Sequence, residues 1–567
     1  MVGELHSSDM TKVLENIRHQ LAQLHFPLPT RHADYGTDTL NDVVHQLDDY
    51  ILPRYRNLDA PLLAVIGGST GSGKSTLINA LVREHVASTS AVRPTTRQPM
   101  LMFHPADESW FSDQRILPGL IRVSGSGENQ EPHSHLSLHP TEALPVGMAV
   151  LDSPDIDSFA QENRELAAQL LSAADLWVFV TTAARYADAV PWALLDEAAK
   201  RNIVVAVVLN RVPPGQGAEI RPDLARRLTE RGLASAPLFV ISEQDFDDLG
   251  FMRVQDVSSL RDWLVSLSRD AAAKSAVVRQ TLAGAVSQLG WSLTQIHSAY
   301  EEQIAALQSL QWDIDHARDL GHEAVRQALH DGTLLRGEVL ARWQDIIGTG
   351  AWSRSLEDGV SHLRDKVSRW LTGRSANESQ VIEALDEGIA ALLVSQAEAA
   401  VVNVRSAWQR SALVSLPQVR SAEERRQDAG MLIRQWQEEL YALVANEGQS
   451  KKATARFLAL GVNAVGLALM IMVFSATAGL AGGEIAVAGG TAIVAQRVLE
   501  AVFGDDAVRR MTKNATLSLQ ERAQDFIERD LQAYREVLDS MALDQMQAQK
   551  LLELHADLRR VDGSDGL

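Results

Sequence analysis

The feature that most constrains the fold is a glycine-rich segment between an apolar run and a helical pattern. The segment reads LLAVIGGSTGSGKSTLINAL and contains Gly68-x-x-x-x-Gly73-Lys74-Ser75. When this pattern follows a strand and opens a helix, it is the phosphate-binding P-loop of nucleotide hydrolases. A strand, loop and helix in this order belong to an α/β sheet that is mostly parallel. The sequence therefore predicts an α/β domain with a nucleotide site.

The residue types in this loop match what phosphate binding requires. Glycines allow backbone conformations that direct successive N–H groups toward phosphate oxygens, and the N-terminus of the next helix adds partial positive charge. Lys74 is predicted to bridge the β- and γ-phosphates and to serve catalysis, and the Ser75 hydroxyl is predicted to bind Mg²⁺. The predicted nucleotide-binding residues here are Gly68, Ser69, Thr70, Gly71, Ser72, Gly73, Lys74, Ser75 and Thr76.

Two positions further along the chain are predicted to complete the magnesium site. The loop AVRPTTRQP follows the P-loop helix, and Thr96 is preferred to Thr95 as the metal-binding and catalytic threonine. Asp152 ends the apolar run MAVLD. A strand-terminal aspartate holds a magnesium-bound water in nucleotide hydrolases of this kind, whereas the alternative role is a cap of the next helix.

Proline divides the chain into two parts. All but one of its 18 prolines lie at or before Pro237, and Pro417 is the exception. Because proline disrupts a helix interior at a cost of roughly 3 kcal/mol, the second part is predicted to form long helices. Short apolar runs within residues 60–250 alternate with helical stretches, as in βαβ units. The predicted N-terminal helices at 1–58 could pack on the sheet or on later helices. They are followed by a P-loop domain at 59–265, a helical stalk at 266–450, a membrane-inserting hairpin region at 451–512, and a C-terminal stalk helix with a tail at 513–567.

One long segment carries no charge. Residues 457–483 read FLALGVNAVGLALMIMVFSATAGLAGG, and roughly 20 apolar residues cross a bilayer as a helix. Basic residues on both sides favour a hairpin at 457–496 with both ends on the cytoplasmic face of the cell membrane. A single span and a buried core helix are the alternatives. The flanking basic residues are Lys451, Lys452, Arg456, Arg497, Arg509 and Arg510.

Composition narrows the range of partners. The net charge is −20, and this disfavours nucleic acid as a partner because phosphate-binding surfaces are basic. The chain has no cysteine, which excludes disulfides and suits a protein that faces the cytosol. The polar N-terminus predicts no signal peptide.

These motifs and their order resemble the translation-factor-type GTPases and, among them, the bacterial dynamin-like proteins. A GTPase domain preceded by helices, a helical stalk and a late hairpin all correspond, and the tail RVLEAVFGDDAVRRM looks like an actinobacterial branch. The resemblance implies GTP and Mg²⁺ as cofactors and membrane lipid as a partner. It also implies self-assembly, as a homo-oligomer or with a related GTPase, for membrane remodelling or support of division septa.

Three positions depart from the pattern of that family. Asp155 stands where Asp-x-x-Gly has its glycine; its N–H could still contact a phosphate, but its carboxylate would face it. Gly71 replaces a serine that helps to hold a catalytic monovalent cation. The guanine-reading aspartate is absent from the stretch NRVP. Asn210, Arg211 and Ser242 are nevertheless predicted to lie at the base, and GTP is preferred to ATP by resemblance.

Two functions follow from this sequence. The first is a membrane-remodelling GTPase, in which Arg93 or Arg97 would act near the phosphates after dimerisation. The second is a membrane-anchored nucleotide switch or scaffold with very slow hydrolysis and weak selectivity between GTP and ATP. An ABC-type ATPase would need a Leu-Ser-Gly-Gly loop, which the sequence lacks. A ribosome-associated GTPase would need a basic RNA-binding domain.

Overall fold

A computed structural model describes residues 2–86, 98–113, 116–117, 119–124, 135–155, 161–330, 334, 375–447, 462–475, 495–496, 499–500 and 502–563. The chain divides into two compact units, which we call the sheet unit and the helical unit. The sheet unit comprises residues 1–303 and 544–567, and the helical unit comprises residues 304–543.

The elements follow one another in α/β order and then in all-α order. The strands are β1 (Leu62–Gly68), β2 (Met100–Phe103), β3 (Ile121–Ser124), β4 (His135–Pro140), β5 (Met148–Asp152), β6 (Leu176–Thr182), β7 (Val204–Val212) and β8 (Leu238–Ser242). The helices are α1 (Val2–Leu21), α2 (Ala33–Gln46), α3 (Leu52–Arg56), α4 (Lys74–Val82), α5 (Glu108–Phe111), α6 (Gln161–Ser172), α7 (Ala189–Lys200), α8 (Gly217–Glu230), α9 (Val254–Arg269), α10 (Ala271–His330), α11 (Ser375–Ser411), α12 (Ala422–Glu447), α13 (Val462–Ser475), α14 (Asp505–Ser540) and α15 (Gln545–Asp562). A π-helical turn (Leu47–Ile51) joins α2 to α3, and a 3-10 turn (Pro105–Asp107) precedes α5.

The strands form one sheet in the order β3-β4-β2-β5-β1-β6-β7-β8. Strands β5, β1, β6, β7 and β8 are parallel to one another, whereas β2 is antiparallel to β5 and parallel to β4. All residues of β1 and β6 are buried, as expected for parallel strands covered on both faces. The predicted mostly parallel α/β fold is confirmed. The carboxyl ends of the five parallel strands therefore meet at one edge of the sheet.

The N-terminal helices belong to the sheet unit. Helix α1 packs against α15 and α3, and α2 packs against α6. The two ends of the chain therefore pack together beside the sheet. Helix α10 also approaches the sheet closely, because a Cβ at Gly284 would lie 1.8 Å from the carbonyl oxygen of Arg201, just before β7.

Long helices form the helical unit, as the scarcity of proline predicts. Its core contains large aromatic side chains that are fully buried. The ring of Trp408 meets Tyr534 edge-on at 5.0 Å between centroids, and Trp436 Nε1 donates a hydrogen bond to the carbonyl of Ala515 at 3.0 Å. The predicted domain boundaries at 58, 265, 450 and 512 stay predictions.

Helix α13 is the described part of the predicted membrane segment. It packs against α11, α12 and α14, and Val465, Leu469 and Met470 are fully buried. A Cβ at Gly466 would lie 2.3 Å from Tyr441 Cε1, so the helices approach closely here. This packing is what the alternative of a buried core helix predicts for the segment. Apart from residues 495–496, the rest of the predicted hairpin lies outside the described residues, and the hairpin stays a prediction.

A different helix is the candidate span among the residues that the structure describes. Within α11, Gln380–Ser411 contains an 18-residue window with a mean hydropathy of 1.3, so this helix is long and apolar enough to cross a membrane by length and composition alone. It packs against α12 and α14, and it carries charged residues such as Asp386 and Arg405. These features also suit a core helix of a bundle.

Candidate nucleotide-binding site

The predicted phosphate loop connects β1 to α4 at the carboxyl edge of the sheet. A Cβ at Gly68 would lie 2.1 Å from the carbonyl oxygen of Val180, and one at Gly73 would lie 2.4 Å from Asn210 Nδ2. Gly73 also has φ +91°, and Gly71 has φ +76° with no atom of the described residues within 4 Å of an added Cβ. Two glycines are therefore needed because neighbours approach closely, and Gly71 is needed for its backbone conformation alone.

Lys74 opens α4 and folds back over this loop. Its side chain is 5% exposed. Its Nζ donates to the carbonyls of Gly68 at 2.8 Å and Ser69 at 3.3 Å. It also forms a salt bridge with Asp155 Oδ1 at 2.5 Å. Asp155 follows β5 closely in the sequence, so the sheet brings it to the loop.

Asp152 ends β5 beside β1, where it pairs in register with Ile66. It is 1% exposed, and its Oδ1 has no hydrogen-bond partner within the described structure. Burial raises the pKa of the Asp152 carboxyl to about 7; the charge of Lys74 opposes this shift and that of Asp155 adds to it. A buried carboxylate oxygen without a partner is a group that a bound cation would satisfy.

Two side-chain hydroxyl groups near the carboxyl edge resemble Asp152 in being buried and unpaired. Ser72 Oγ in the loop and Thr181 Oγ1 near the end of β6 are both buried without a hydrogen-bond partner in the described part of the chain. Both residues are 1% exposed. Since buried polar groups are nearly always paired, their clustering with Asp152 indicates a surface prepared for a polar ligand.

The residues present fit a nucleotide phosphate with Mg²⁺. The loop approaches the backbone of Val180 too closely at Gly68 for a larger residue, and Gly73 has φ +91°, a conformation that favours glycine. Ser75, in the first turn of α4, and Asp152, at the end of the adjacent strand, supply a hydroxyl and a carboxylate, and oxygen ligands are those that Mg²⁺ prefers. Thr76 lies in the same helical turn as Ser75. Three other predicted residues, Thr96, Arg93 and Arg97, lie outside the described residues.

The residues predicted at the base occupy the ends of β7 and β8. Asn210 is 1% exposed; its Nδ2 donates to the Ser72 carbonyl at 2.9 Å, and its Oδ1 accepts from the Arg211 N–H at 2.9 Å. Asn210 therefore fastens the phosphate loop to β7. Arg211 is exposed with φ +51°, at a register irregularity of the strand. Ser242, the exposed last residue of β8, pairs in register with Val212.

One residue at the loop escaped the sequence analysis. Arg185, in the turn after β6, donates from Nη1 to the Thr70 carbonyl at 3.0 Å. It belongs to no motif, and an arginine in a polar stretch is usually solvated. Only the parallel pairing of β6 with β1 brings its cationic side chain to the phosphate loop.

The fold and the site define an α/β P-loop domain of the GTPase type. Residues 63–212, from β1 to the end of β7, match the Dynamin family. No curated protein matches the chain. The GTPase-like domain and the long helical region are thus established, whereas the translation-factor-type and actinobacterial placements stay part of the resemblance.

Three of the solved structures that are similar to the chain are bacterial dynamins. One is an oligomerised bacterial dynamin pair, described as providing a mechanism for the long-range sensing and tethering of membranes; it is 11% identical over 98% of this chain and 94% of that chain, with a TM-score of 0.42. A second structure of such a pair is 10% identical over 98% and 94%, with a TM-score of 0.36. LeoA, a bacterial dynamin GTPase from ETEC, is 10% identical over 98% of both chains, with a TM-score of 0.24. Similarities of this size carry no inference about the activity or partners of this chain.

Proposed function

We propose that this chain is a dynamin-like GTPase that binds and hydrolyses GTP with Mg²⁺ and acts on the cytoplasmic face of the cell membrane by nucleotide-dependent self-assembly. The observation that carries the proposal is that Asp152 Oδ1 has no hydrogen-bond partner among the described residues, at the edge of the sheet where Lys74 begins α4 after the glycine-rich loop. This loop lies in a segment that matches the Dynamin family.

Positioning and charge neutralisation would account for the reaction. The loop N–H groups and the N-terminus of α4 bind the phosphates, and Lys74 neutralises charge on the β- and γ-phosphates. Ser75 and Asp152 would hold Mg²⁺, directly or through a bound water, with Thr96 as the proposed third protein residue at the metal. When bound, Mg²⁺ would supply positive charge against the charge that develops as the phosphoryl group passes to water. Asn210 and Arg185 keep the loop in place through its carbonyl groups.

The guanine base would meet an incomplete recognition site. Asn210 already uses its amide on the Ser72 carbonyl and the Arg211 N–H. The Arg211 stem, which can cover a base, and the exposed Ser242 remain as base-contacting groups. GTP is proposed from the family match, and weak selectivity against ATP follows from the missing aspartate.

The membrane role concerns residues 457–496. We propose this stretch as a hairpin anchor, with membrane lipid as the partner and with assembly as a homo-oligomer or with a related GTPase. Because α13 is buried against α12 and α14, lipid contact by α13 requires it to leave these helices. Burial of so apolar a helix within the protein also keeps it soluble until that point.

A second function is favoured by one contact. The salt bridge between Lys74 and Asp155 occupies the lysine that should neutralise the γ-phosphate. A membrane-anchored switch or scaffold with very slow hydrolysis would follow if Asp155 remains there after nucleotide binds.

Phosphate release from the purified chain tests the two functions. GTP and ATP are each supplied with Mg²⁺, with and without vesicles of acidic lipid, and Lys74→Ala is the control. GTP turnover that rises on vesicles and is lost in Lys74→Ala supports the remodelling GTPase. Tight Mg²⁺-dependent binding without turnover supports the switch. Unchanged turnover in Lys74→Ala would refute the P-loop site.

The membrane role needs a separate test. Since the chain has no cysteine, Ala468→Cys on α13 and Ala429→Cys on α12 introduce single thiols at two buried positions. A membrane-partitioning thiol reagent should react with the cysteine at 468 on acidic vesicles with GTP, and should spare the one at 429. Equal protection of both thiols on vesicles would show that α13 stays packed in the protein.

A further inference from the structure

The P-loop lysine has all of its hydrogen-bonding capacity in use. A lysine ammonium has three N–H donors. In this structure Nζ of Lys74 contacts three acceptors: the carbonyls of Gly68 and Ser69 and Oδ1 of Asp155. No donor is left over for a phosphate oxygen. A phosphate that is to bind Lys74 must therefore replace one of these acceptors.

The three acceptors differ in how readily they can leave. The two carbonyls belong to the loop that itself forms the phosphate cradle, so they move only if the cradle changes. Asp155 is a side chain beyond the end of β5, and it is 19% exposed to solvent. Rotation about its side-chain bonds would take its carboxylate into water without moving the loop. Asp155 is therefore the acceptor that a phosphate would displace.

Electrostatic repulsion favours the displacement of Asp155 from Lys74 by a γ-phosphate. The γ-phosphate of a triphosphate carries negative charge to the lysine that Asp155 already neutralises, and two anions at one buried cation repel each other. A diphosphate has no γ-phosphate and presents only its β-phosphate to Lys74, so it brings less negative charge to the cation that Asp155 neutralises. The Asp155 carboxylate thus competes with a triphosphate for Lys74 more strongly than it competes with a diphosphate.

We propose that Asp155 is an internal competitor of the γ-phosphate: its carboxylate occupies Lys74 in the nucleotide-free protein and must leave when a nucleoside triphosphate binds. Asp155 thereby lowers the preference for triphosphate over diphosphate and is the specificity-determining residue of the site. The inference rests on the proposed function, since it places the phosphates of a nucleotide on this loop.

Equilibrium binding of two fluorescent nucleotides to the full-length chain tests this inference. The probes are a GDP analogue and a hydrolysis-resistant GTP analogue, each titrated with Mg²⁺. Asp155→Asn keeps the shape and removes the charge, Asp155→Ala removes the side chain, and Asp155→Glu restores a carboxylate. Asp48→Asn is the matched control, because Asp48 pairs with Arg18 at 2.8 Å within the N-terminal helices.

Removal of the Asp155 charge should act much more strongly on the binding of the triphosphate than on that of the diphosphate. In Asp155→Asn and Asp155→Ala, affinity for the GTP analogue should rise on the order of tenfold, since like charges at close range oppose binding and partial exposure moderates the effect. Affinity for the GDP analogue should change by less than about threefold. Asp155→Glu and Asp48→Asn should keep the wild-type ratio of the two affinities.

The outcomes separate this inference from the proposed function. An equal rise for both nucleotides, or an unchanged ratio in both neutral variants, would overturn the competitor role while the GTPase proposal stands. Failure of the wild-type chain and every variant to bind either nucleotide would refute the nucleotide site itself and the inference with it. Thermal unfolding of each variant verifies that it is folded, and the two neutral substitutions provide independent readings.

Discussion

A carboxylate is buried at each end of the parallel strands: Asp175 at the edge where the strands begin, which we call the amino edge, and Asp152 at the carboxyl edge where they end. The two carboxylates differ in whether they have hydrogen-bond partners. At the amino edge, Asp175 precedes β6 and accepts hydrogen bonds from Arg54 Nε at 2.9 Å and from the Leu63 N–H at 2.8 Å. Arg54 also donates to the carbonyls of Ala60 at 3.0 Å and Pro61 at 3.2 Å. Every charged group in this network has partners inside the protein.

At the carboxyl edge, Asp152 is as deeply buried as Asp175, since each is 1% exposed. Its Oδ1 nevertheless lacks a partner, as do Ser72 Oγ and Thr181 Oγ1, among the residues that the structure describes. A buried, paired network stabilises a fold, whereas buried groups without partners destabilise it unless a ligand satisfies them. The difference teaches that paired groups at one edge stabilise the domain, whereas the other edge leaves buried polar groups available to a ligand at a cost in stability.

The largest expected effect is at the amino edge. Arg54→Ala would leave the Asp175 carboxylate buried without its cation, and such a loss should lower the free energy of unfolding by about 3–5 kcal/mol. Urea denaturation measures it. Arg226→Ala, which breaks the exposed pair with Asp223, is the control and should leave the unfolding midpoint nearly unchanged. If Arg54→Ala lowers the free energy of unfolding no more than the control does, the paired groups at the amino edge do not stabilise the fold, and the contrast between the two edges fails.

The second expected effect is a gain in stability when Asp152 is substituted, and its size depends on pH. The pKa of Asp152 is raised from 3.8 to about 7 by its burial, with Lys74 opposing. The folded state therefore holds a proton that the unfolded chain releases, and this stabilisation is lost as pH rises from the unfolded value through the folded one. In the metal- and nucleotide-free protein at pH 8, Asp152→Asn should raise the free energy of unfolding by up to about 4 kcal/mol.

Denaturation at two pH values tests that prediction. At pH 5 the folded carboxyl at 152 is protonated while the unfolded chain has already released this proton, so the difference between wild type and Asp152→Asn should be less than half of that at pH 8. At pH 8 the variant should be the more stable of the two. The same difference at both pH values would mean that the charge of Asp152 is not the cause.

The third effect concerns binding rather than folding. Lys74→Ala removes the cation that faces the phosphates, and the loss of a charged hydrogen-bonding group should weaken nucleotide binding by about 10- to 100-fold. Titration with a fluorescent GTP analogue and Mg²⁺ measures this loss. Thermal unfolding should show that the variant remains folded. If nucleotide binding is not weakened, the nucleotide does not bind at the carboxyl edge of the sheet.

The smallest effect distinguishes two glycines of the loop. Gly71→Ala forces an alanine to φ +76° with open space around its Cβ, which should lower the free energy of unfolding by roughly 1–2 kcal/mol. Gly73→Ala adds an approach of 2.4 Å to Asn210 Nδ2, so its loss should be larger. Chemical denaturation of both variants compares them. Equal losses would show that Asn210 moves aside without cost.

The features that could be predicted from the sequence are those that depend on local residue patterns. The apolar runs of β1, β5 and β6 and the glycine-rich loop predict the parallel sheet and the position of Lys74 at the start of a helix. Asp152 could be placed at a strand end from the run MAVLD alone. Near absence of proline after Pro237 predicts the long helices. These features depend on backbone conformation and periodicity over a few residues, which neighbouring residues in the chain largely set.

Partners of polar groups could not be predicted in this way. Lys74 meets Asp155 across 81 residues, Asn210 meets the Ser72 carbonyl across 138, and Arg185 meets the Thr70 carbonyl across 115. Likewise, composition alone leaves open whether α13 enters a membrane or packs on Tyr441. Local residue patterns specify the strands, the loop and the helices. Which side chains receive a partner and which are left for a ligand depends on the strand order, because that order alone brings these distant segments to one edge of the sheet.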